Sequence, residues 1–562
     1  MILYPADLIA QFEQRGWWRE RTLADVFFAN AARYPDRLAI VDAPNREALV
    51  GSAPRRLDYA TLAREVRDTA ARLARAGVWQ DDVVVLQLPN IVELVVMYLA
   101  CATLGAIVSP MPVQYRAHEM RDVFGTLGRK VRAVVSTATF KGNALAEPLF
   151  KVATTALTGA EMLHVASPGE VVNGKALGDL RAAQLAPSTA GGNDVCTICW
   201  TSGTVAQAKG VPRTHNNWLL SGEGLVEVAG LADGDRVLCP FPMVNMGGIA
   251  SSLTTWLTIS GTLVLHHPLD VELCLKQIQD EQVNFTVLGP SLLNSVLQDE
   301  ALLMRYDLRS LRCIFSGSAP LSPWMIEQYQ ERLGIEIVNS FGCSEGLSMH
   351  ATSRDVPDPR ERAVLFPRLG HDARWQSRLA QRMITRLVDP HTEVEITTAG
   401  VAGELRVRGP SVFSGYVGRA ELNATAFDAQ GWFRTGDMFE IAPDAQGALA
   451  YYRFVERLKD LIIRGGINIA PAELEALILT HPQVRDAAVV GYPDDILGER
   501  VCAVVVPAPG GTLDLADLQQ HLSAHGVARF KWPERMLLRE TLPRNPMGKV
   551  LKRELRQDVV FR

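Results

Sequence analysis

One stretch of this chain has the residue types needed to hold a phosphate. Thr201, Ser202, Gly203 and Thr204 supply hydroxyls and an unhindered backbone, and Lys209-Gly210 follows. Backbone N–H groups in a turn, joined by Ser/Thr hydroxyls and an ammonium, can converge on a phosphate without crowding. The segment is not a Walker A loop, because that pattern needs Gly-Lys-Ser/Thr in order and here the lysine precedes the glycine. On its own the run reads equally well as a strand-to-helix turn with a surface lysine. A second constellation, the Cys196-x-x-Cys199 pair, lacks the further Cys or His that would complete a zinc set. It sits in the apolar run Val195–Trp200 and reads as a buried strand.

The elements around the loop alternate in type. Tyr59–Ala76 has helical spacing and stops at Gly77. Asp82–Gln87 is a β-branched strand, Ile91–Leu104 a helix and Val131–Ser136 a strand. After the loop the alternation resumes with strands at Arg236–Cys239, Gly261–Leu265 and Asn284–Leu288 and a helix over Leu273–Glu281. Such alternation predicts α/β layers around a mostly parallel sheet. From Gly403–Arg408 onward, short strands and glycine turns predict a β-rich piece. A boundary falls near Arg457–Asp460, giving a large unit over 1–457 and a compact α+β unit over 458–562. Within the second unit Pro471–Leu479 and Leu515–Ala524 read as helices, and Arg485–Val490 and Val501–Val506 as strands.

Composition narrows the function classes. The 562 residues are 48% hydrophobic and 21% charged with a net charge of −5, as in an ordinary globular enzyme and without the basic stripe of a nucleic-acid binder. The N-terminus has no basic flank ahead of an apolar core, so no secretory signal is expected. The apolar run Ile91–Val108 holds Glu93, barely reaches spanning length and reads as a buried helix rather than a membrane span. A cytoplasmic location is expected. The eight cysteines read as structural.

Further motifs change the odds on the loop. In order come Asn339–Glu345 (NSFGCSE), Gly431–Asp437 (GWFRTGD), Glu456–Glu473 (ERLKDLIIRGGINIAPAE) and Pro543–Lys549 (PRNPMGK). With the loop, these resemble the adenylate-forming superfamily over nearly the whole chain. That superfamily includes acyl-CoA synthetases, stand-alone aryl-acid adenylating enzymes, peptide-synthetase adenylation domains and luciferases. The resemblance implies ATP and Mg²⁺ as cofactors, CoA or a phosphopantetheinyl carrier protein as acceptor, and a small-molecule carboxylic acid as substrate. It allows a homodimer.

The roles it implies fall on particular residues. The loop residues and Lys209 would hold the phosphates. Phe341 would stack on adenine, with Asn339 bonding the exocyclic amine. Ser318 and Ala319, in Ser316–Pro320, would cover the other ring face, and Gly342 would border nucleotide and acid. Asp437 would accept both ribose hydroxyls, which one carboxylate can do. Arg457 would approach ribose and phosphate. Glu345, with Ser344 beside it, would bind Mg²⁺ as a hard oxygen ligand. Lys549 would reach the carboxylate and the α-phosphate. Lys459 would be the hinge of a mobile C-terminal unit, and Gly465 and Gly466 would line a pantetheine tunnel. No nucleophile or general base is required, because the acid is already ionised at neutral pH. His215 therefore reads as a packing residue.

The acid itself is less constrained. Asn245, Met246 and Gly247, with Gly317 and Gly342, match the family's acid pocket. Asn245 resembles the residue that enzymes activating 2-hydroxybenzoates place on the ortho hydroxyl, though an asparagine there also suits a buried backbone group. Gln11–Trp18, Pro212–Asn216 and Gly526–Pro533 also look like that aryl branch, while Gly247-Gly248 looks more like ligases that transfer acids to CoA. A catalytically weak nucleotide-binding homologue is the alternative from another class.

The loop departs from its relatives. They carry Thr-Gly-x-Pro where this chain has Val205, Ala206, Gln207 and Ala208. A left-handed alanine at 206 would cost about 1 kcal/mol or more relative to glycine, and a lost hydroxyl donor to a phosphate about 1.5–3 kcal/mol. An elevated ATP KM is expected, lowered by Val205→Thr with Ala206→Gly. An unchanged or higher KM in that double variant would mean that the loop grips pyrophosphate by other groups.

Overall fold

The computed structural model describes residues 1–158, 163–167, 170–171, 188–201, 208–318, 321–371, 374–375, 377–464, 467–494, 496–525, 527–545 and 548–560. Four sheets organise the chain. One is eight-stranded, with parallel strands Leu38–Val41, Thr262–Leu265, Arg236–Cys239, Phe285–Val287, Cys313–Gly317 and Glu336–Gly342 side by side and an antiparallel strand at each edge. A seven-stranded sheet has Val83–Gln87, Ile107–Pro110 and Val131–Thr137 at its parallel centre. A six-stranded antiparallel sheet spans Leu365–Arg457, and a five-stranded sheet spans Ile462–Leu538. This is the expected α/β architecture with a β-rich piece and a small α+β unit.

The predicted elements lie close to their observed positions. Helix Tyr59–Arg75 opens on Asp58, whose side chain accepts from Thr61 N, and Gly77 follows it in the left-handed region. Helix Val92–Leu104 is buried all round, which explains its membrane-like composition. Among the described residues no helix is long and apolar enough to cross a membrane. Its neighbours form the largest core, where Tyr59 and Trp256 stack 5.8 Å apart.

Cys196 and Cys199 lie buried in strand Val195–Thr201 as free thiols. Burial raises the Cys199 thiol to about 12, which suits packing and not redox or metal chemistry. The loop after this strand is not a strand-to-helix turn. The next element is strand Lys209–Thr214, antiparallel to it, with Thr201 opposite Lys209. Thr201 and Lys209, which flank the phosphate segment, thus face each other across two antiparallel strands, and helix His215–Ala229 begins only after the second strand.

Candidate active site

Three hairpins and one loop bring the expected residues together. The first strand pair sets Thr201 opposite Lys209 at the end nearest the connecting segment. Ser202, Gly203 and Thr204 lie outside the described residues, as do Ala319, Gly465 and Gly466.

The second hairpin joins Glu336–Gly342 to Ser348–Ala351, with Gly342 opposite Ser348. Phe341 lies within its first strand. The Phe341 ring meets Phe439 edge-on at 5.0 Å and is only half-buried, so part of it remains free to meet a flat ring. Asn339 is 5% exposed, and its amide nitrogen donates to the carbonyls of Arg362 (3.0 Å) and Ala363 (2.9 Å). With the NH₂ so committed, the carbonyl oxygen is left to accept. Ser344 and Glu345 form the turn of this hairpin. Ser318 is held at φ +68°, and a side chain at Gly317 would collide with the Ser340 carbonyl. A Cβ at Gly342 would lie 2.9 Å from the Leu347 carbonyl, so the strand junction beside the site is tightly packed.

The third hairpin sets Asp437 directly opposite Arg457. Asp437 therefore belongs to strand Phe433–Ala442. It is 2% exposed, and Arg457 Nε stands 3.0 Å from its Oδ1. That contact lacks hydrogen-bond geometry, and Oδ1 has no hydrogen-bond partner. Burial raises the Asp437 pKa, with Arg457 and then Lys549 acting in the opposite direction. A buried carboxylate oxygen with an unused acceptor site suits a diol.

Lys549 comes from the loop Arg544–Val550, where its N–H donates to Asn545 Oδ1 at 2.9 Å. It reaches solvent, yet protein atoms crowd its ammonium. That desolvation, reinforced by Arg457 and Lys459 and opposed by Asp437 and Asp460, lowers its pKa to about 8. Lys549, Arg457 and Asp437 thus share one electrostatic neighbourhood. Lys459 joins the same field, and its carbonyl accepts from Arg556 Nη2 at 3.3 Å.

Tyr416 links the first two hairpins and was not foreseen from the sequence. Its hydroxyl donates to Glu345 Oε1 at 2.8 Å, and Lys209 Nζ lies 4.9 Å from its ring centre. Burial, then the Glu345 carboxylate, raise its pKa and keep it a donor. The residues fit Mg²⁺. Tyr416 holds one Glu345 oxygen, and Oε2 has no partner among the described residues. Among the described residues no group of three or more His, Cys, Asp or Glu side chains is placed to hold a metal ion by itself.

Of the residues expected to meet the acid, Asn245, Met246 and Gly247 occupy a turn after strand Arg236–Cys239, while Gly317 and Gly342 end neighbouring strands. Asn245 caps the short helix Met246–Gly248, its side chain accepting from Gly248 N at 3.4 Å. Its oxygen therefore serves the backbone, leaving the amide nitrogen for an acid. Asn90, also missed in the sequence, organises the approach by donating to the Cys239, Phe241 and His266 carbonyls and accepting from Met243 N. His215 is fully buried, accepts from Leu23 N at 3.1 Å and has its pKa pushed down to about 4 by burial, as befits a packing residue. A separate cavity of about 430 Å³ lies under helix Leu23–Arg33, but its Arg21 and Asn30 are already partnered by Glu223 and Leu257.

Residues 27–417 match the family model for AMP-binding enzymes, and residues 473–549 match the model for their C-terminal domain. The chain is 31% identical to pyochelin synthase PchD of Pseudomonas aeruginosa over 99% of its own length and 95% of that protein. It is equally similar to 2-hydroxy-7-methoxy-5-methyl-1-naphthoate–CoA ligase of Streptomyces carzinostaticus, at 31% over 99% and 96%. The crystal structure of ATP-bound MatB from Rhodopseudomonas palustris superposes with a TM-score of 0.78 at 26% identity, covering 95% of this chain and 98% of that one. Two family models along the chain and relatives matched over nearly their full length leave one conclusion: this chain belongs to the AMP-binding enzyme family and is an AMP-forming carboxylic acid ligase.

Proposed function

We propose that the enzyme joins an aromatic, alicyclic or short- to medium-chain acid to CoA in two steps at the residues just described. The observation that carries this reading is the convergence of Lys549, Arg457 and Asp437 from two units of the chain. In the first step a carboxylate oxygen of the acid bonds to the α-phosphorus of ATP, the α–β phosphoanhydride bond breaks and pyrophosphate leaves. Asp437 accepts the ribose hydroxyls, Asn339 and Phe341 hold adenine, and Lys549 places positive charge between the two approaching anions. Lys209 does the same at the departing phosphates. Bound Mg²⁺, held by Glu345 with Ser344 nearby, supplies further charge neutralisation. Phosphoryl chemistry of this kind depends on positioning and electrostatics more than on covalent help. In the second step the thiolate sulfur bonds to the acyl carbon, the carbon–oxygen bond to AMP breaks and AMP leaves.

The unit boundary at 457/458 and the hinge at Lys459 belong to this proposal. The C-terminal unit presents Lys549 for the first step and turns to bring Gly465 and Gly466 to the thiol for the second. ATP and CoA as diffusible substrates fit a cytoplasmic enzyme. The test is acid-dependent ATP–pyrophosphate exchange across benzoates, alicyclic acids and fatty acids, followed by CoA against a phosphopantetheinyl carrier protein. Exchange with a 2-hydroxybenzoate and transfer only to the carrier would replace CoA ligation by aryl loading. The Asn245 amide nitrogen, which has no partner among the described residues, favours that second reading. No exchange with any acid would favour a nucleotide-binding homologue.

A pH dependence follows from Lys549. Its ammonium must be charged to act, and in the free enzyme it loses its proton at about pH 8. kcat/KM for ATP in the exchange is expected to fall above about pH 8. ATP bound beside the lysine raises its pKa, so the plateau of kcat extends further. Lys549→Arg should retain activity on the alkaline side, where the wild type declines. A wild-type profile flat to pH 10 would remove Lys549 from this role.

A further inference from the structure

Arg213 is an unusual buried cation. It is fully buried, as are Arg46, Arg362 and Arg406; Arg46 and Arg406 have carboxylate partners, and Arg362 donates to the Gln330 side chain. Arg213 has none among the described residues, and its Nε bonds to nothing. Its Nη1 donates instead to the Ser411 carbonyl at 2.5 Å. The segment Pro410–Val412 is held by other donors as well. Trp18 Nε1 (3.1 Å) and Asn217 Nδ2 (2.9 Å) reach the Pro410 carbonyl, and the Tyr4 hydroxyl reaches the Val412 carbonyl at 2.5 Å.

This anchored segment grips the turn that carries Glu345. Ser411 Oγ donates to the Gly346 carbonyl at 2.7 Å, and Phe413 N donates to the Glu345 carbonyl at 2.8 Å. Gly346 has φ +114°, and a Cβ there would run into both the Ser411 carbonyl and Arg213 Nη1. The guanidinium therefore lies directly beneath the turn. Arg213 also shares strand Lys209–Thr214 with Lys209, whose ammonium lies 4.9 Å from the ring centre of Tyr416, the residue whose hydroxyl donates to Glu345.

We propose that Arg213 is a positioning residue for Glu345, acting through Ser411, so that one strand sets both the phosphate lysine and the metal carboxylate. The proposal rests on the adenylating reading of Glu345 given above. Mg²⁺ accepts only a narrow octahedral geometry, so a carboxylate on an unanchored turn would bind it less well. Tyr4 and Trp18 lie outside the matched family segment, 27–417, and so give the N-terminal residues a share in this support.

The test uses the whole protein with Mn²⁺ as the probe for Mg²⁺. Binding of Mn²⁺–ATP is followed by electron paramagnetic resonance, and binding of metal-free ATP by calorimetry. Arg213→Met is expected to weaken Mn²⁺–ATP binding by about tenfold, the size of one hydrogen bond to a charged group. Metal-free ATP binding, and thioester formation from supplied acyl-adenylate, should change by less than about twofold, because neither uses the Glu345 turn. Arg213→Lys should restore most of the metal affinity. Ser411→Ala, which leaves the guanidinium in place, should weaken Mn²⁺–ATP by about threefold to tenfold and provides the answer if Arg213→Met does not fold. Equal losses with and without metal, tracking a lower melting temperature, would assign Arg213 a purely structural role and overturn the proposal. So would unchanged Mn²⁺–ATP binding in folded Ser411→Ala. Wild-type protein that binds Mn²⁺–ATP but exchanges pyrophosphate with no acid would sink the ligase reading and leave this one standing.

Discussion

Lys549→Ala is expected to slow acid-dependent ATP–pyrophosphate exchange by about 10²–10³-fold, the usual loss when one charge-stabilising group is removed from a transition state. Thioester formation from supplied acyl-adenylate should change only a few-fold. The reason lies in what each step needs. Adenylation drives a carboxylate onto a polyphosphate, so negative charge accumulates between them, and the Lys549 ammonium shares its neighbourhood with Asp437 and Arg457. Thiol transfer expels AMP from a neutral acyl group and needs no cation there. Removing the ammonium also takes a positive charge away from Arg457 and Lys459, so free-enzyme stability should not fall. Gly466→Leu should give the converse result, sparing exchange and blocking thioester formation, because its expected role belongs to the thiol passage. Full exchange activity in Lys549→Ala would overturn the assignment of that lysine. Equal loss of both half-reactions would instead point to a docking role for the loop Arg544–Val550.

The sequence made the individual strands and the site residues legible to different degrees. Apolar runs such as Val83–Gln87 and Val131–Thr137 carry their own signal, because strands buried on both faces read as continuous β-branched segments. Asp437 and Arg457 were legible as motif residues, but not as a cross-strand pair; register depends on the intervening turn and on a bulge between Met438 and Phe439. The antiparallel pairing of the strands that flank the phosphate segment was hidden for a similar reason. Strand Lys209–Thr214 contains Gly210 and Pro212, residues that argue against a strand, and is tolerated because it lies at the edge of its sheet. Tyr416, Arg213 and Asn90 gave no local signal. Each acts through contacts with residues about 70 to 200 positions away, which only the fold brings near. Asn245 shows the opposite case: its position was legible, but the structure spends its oxygen on a helix cap.

Asp437→Asn should separate activity from stability. Two hydroxyl bonds to a carboxylate become bonds to a neutral amide, a loss of about 1.5–3 kcal/mol, so kcat/KM for ATP should drop by about 10–100-fold. Stability should move the other way or not at all. Burial raises the Asp437 pKa above its ordinary 3.8 even with Arg457 alongside, so desolvation outweighs the ion pair. A carboxyl whose folded-state pKa is raised gives up its proton more readily in the unfolded chain. Ionised Asp437 therefore subtracts from stability above the unfolded pKa, and that loss is recovered as pH falls through the folded one. Asparagine removes the penalty. The partner loses little, because the Arg457 side chain is 35% exposed and keeps water. The expected result is a ligand-free melting temperature at neutral pH equal to or above that of the wild type. Its advantage should shrink as the pH is lowered toward the carboxylate range. With saturating ATP the order should reverse, since ligand stabilisation scales with affinity. A variant that melts well below the wild type at neutral pH would show that Asp437 is held for the fold. A variant that keeps full ATP affinity would show that the ribose hydroxyls are bound elsewhere.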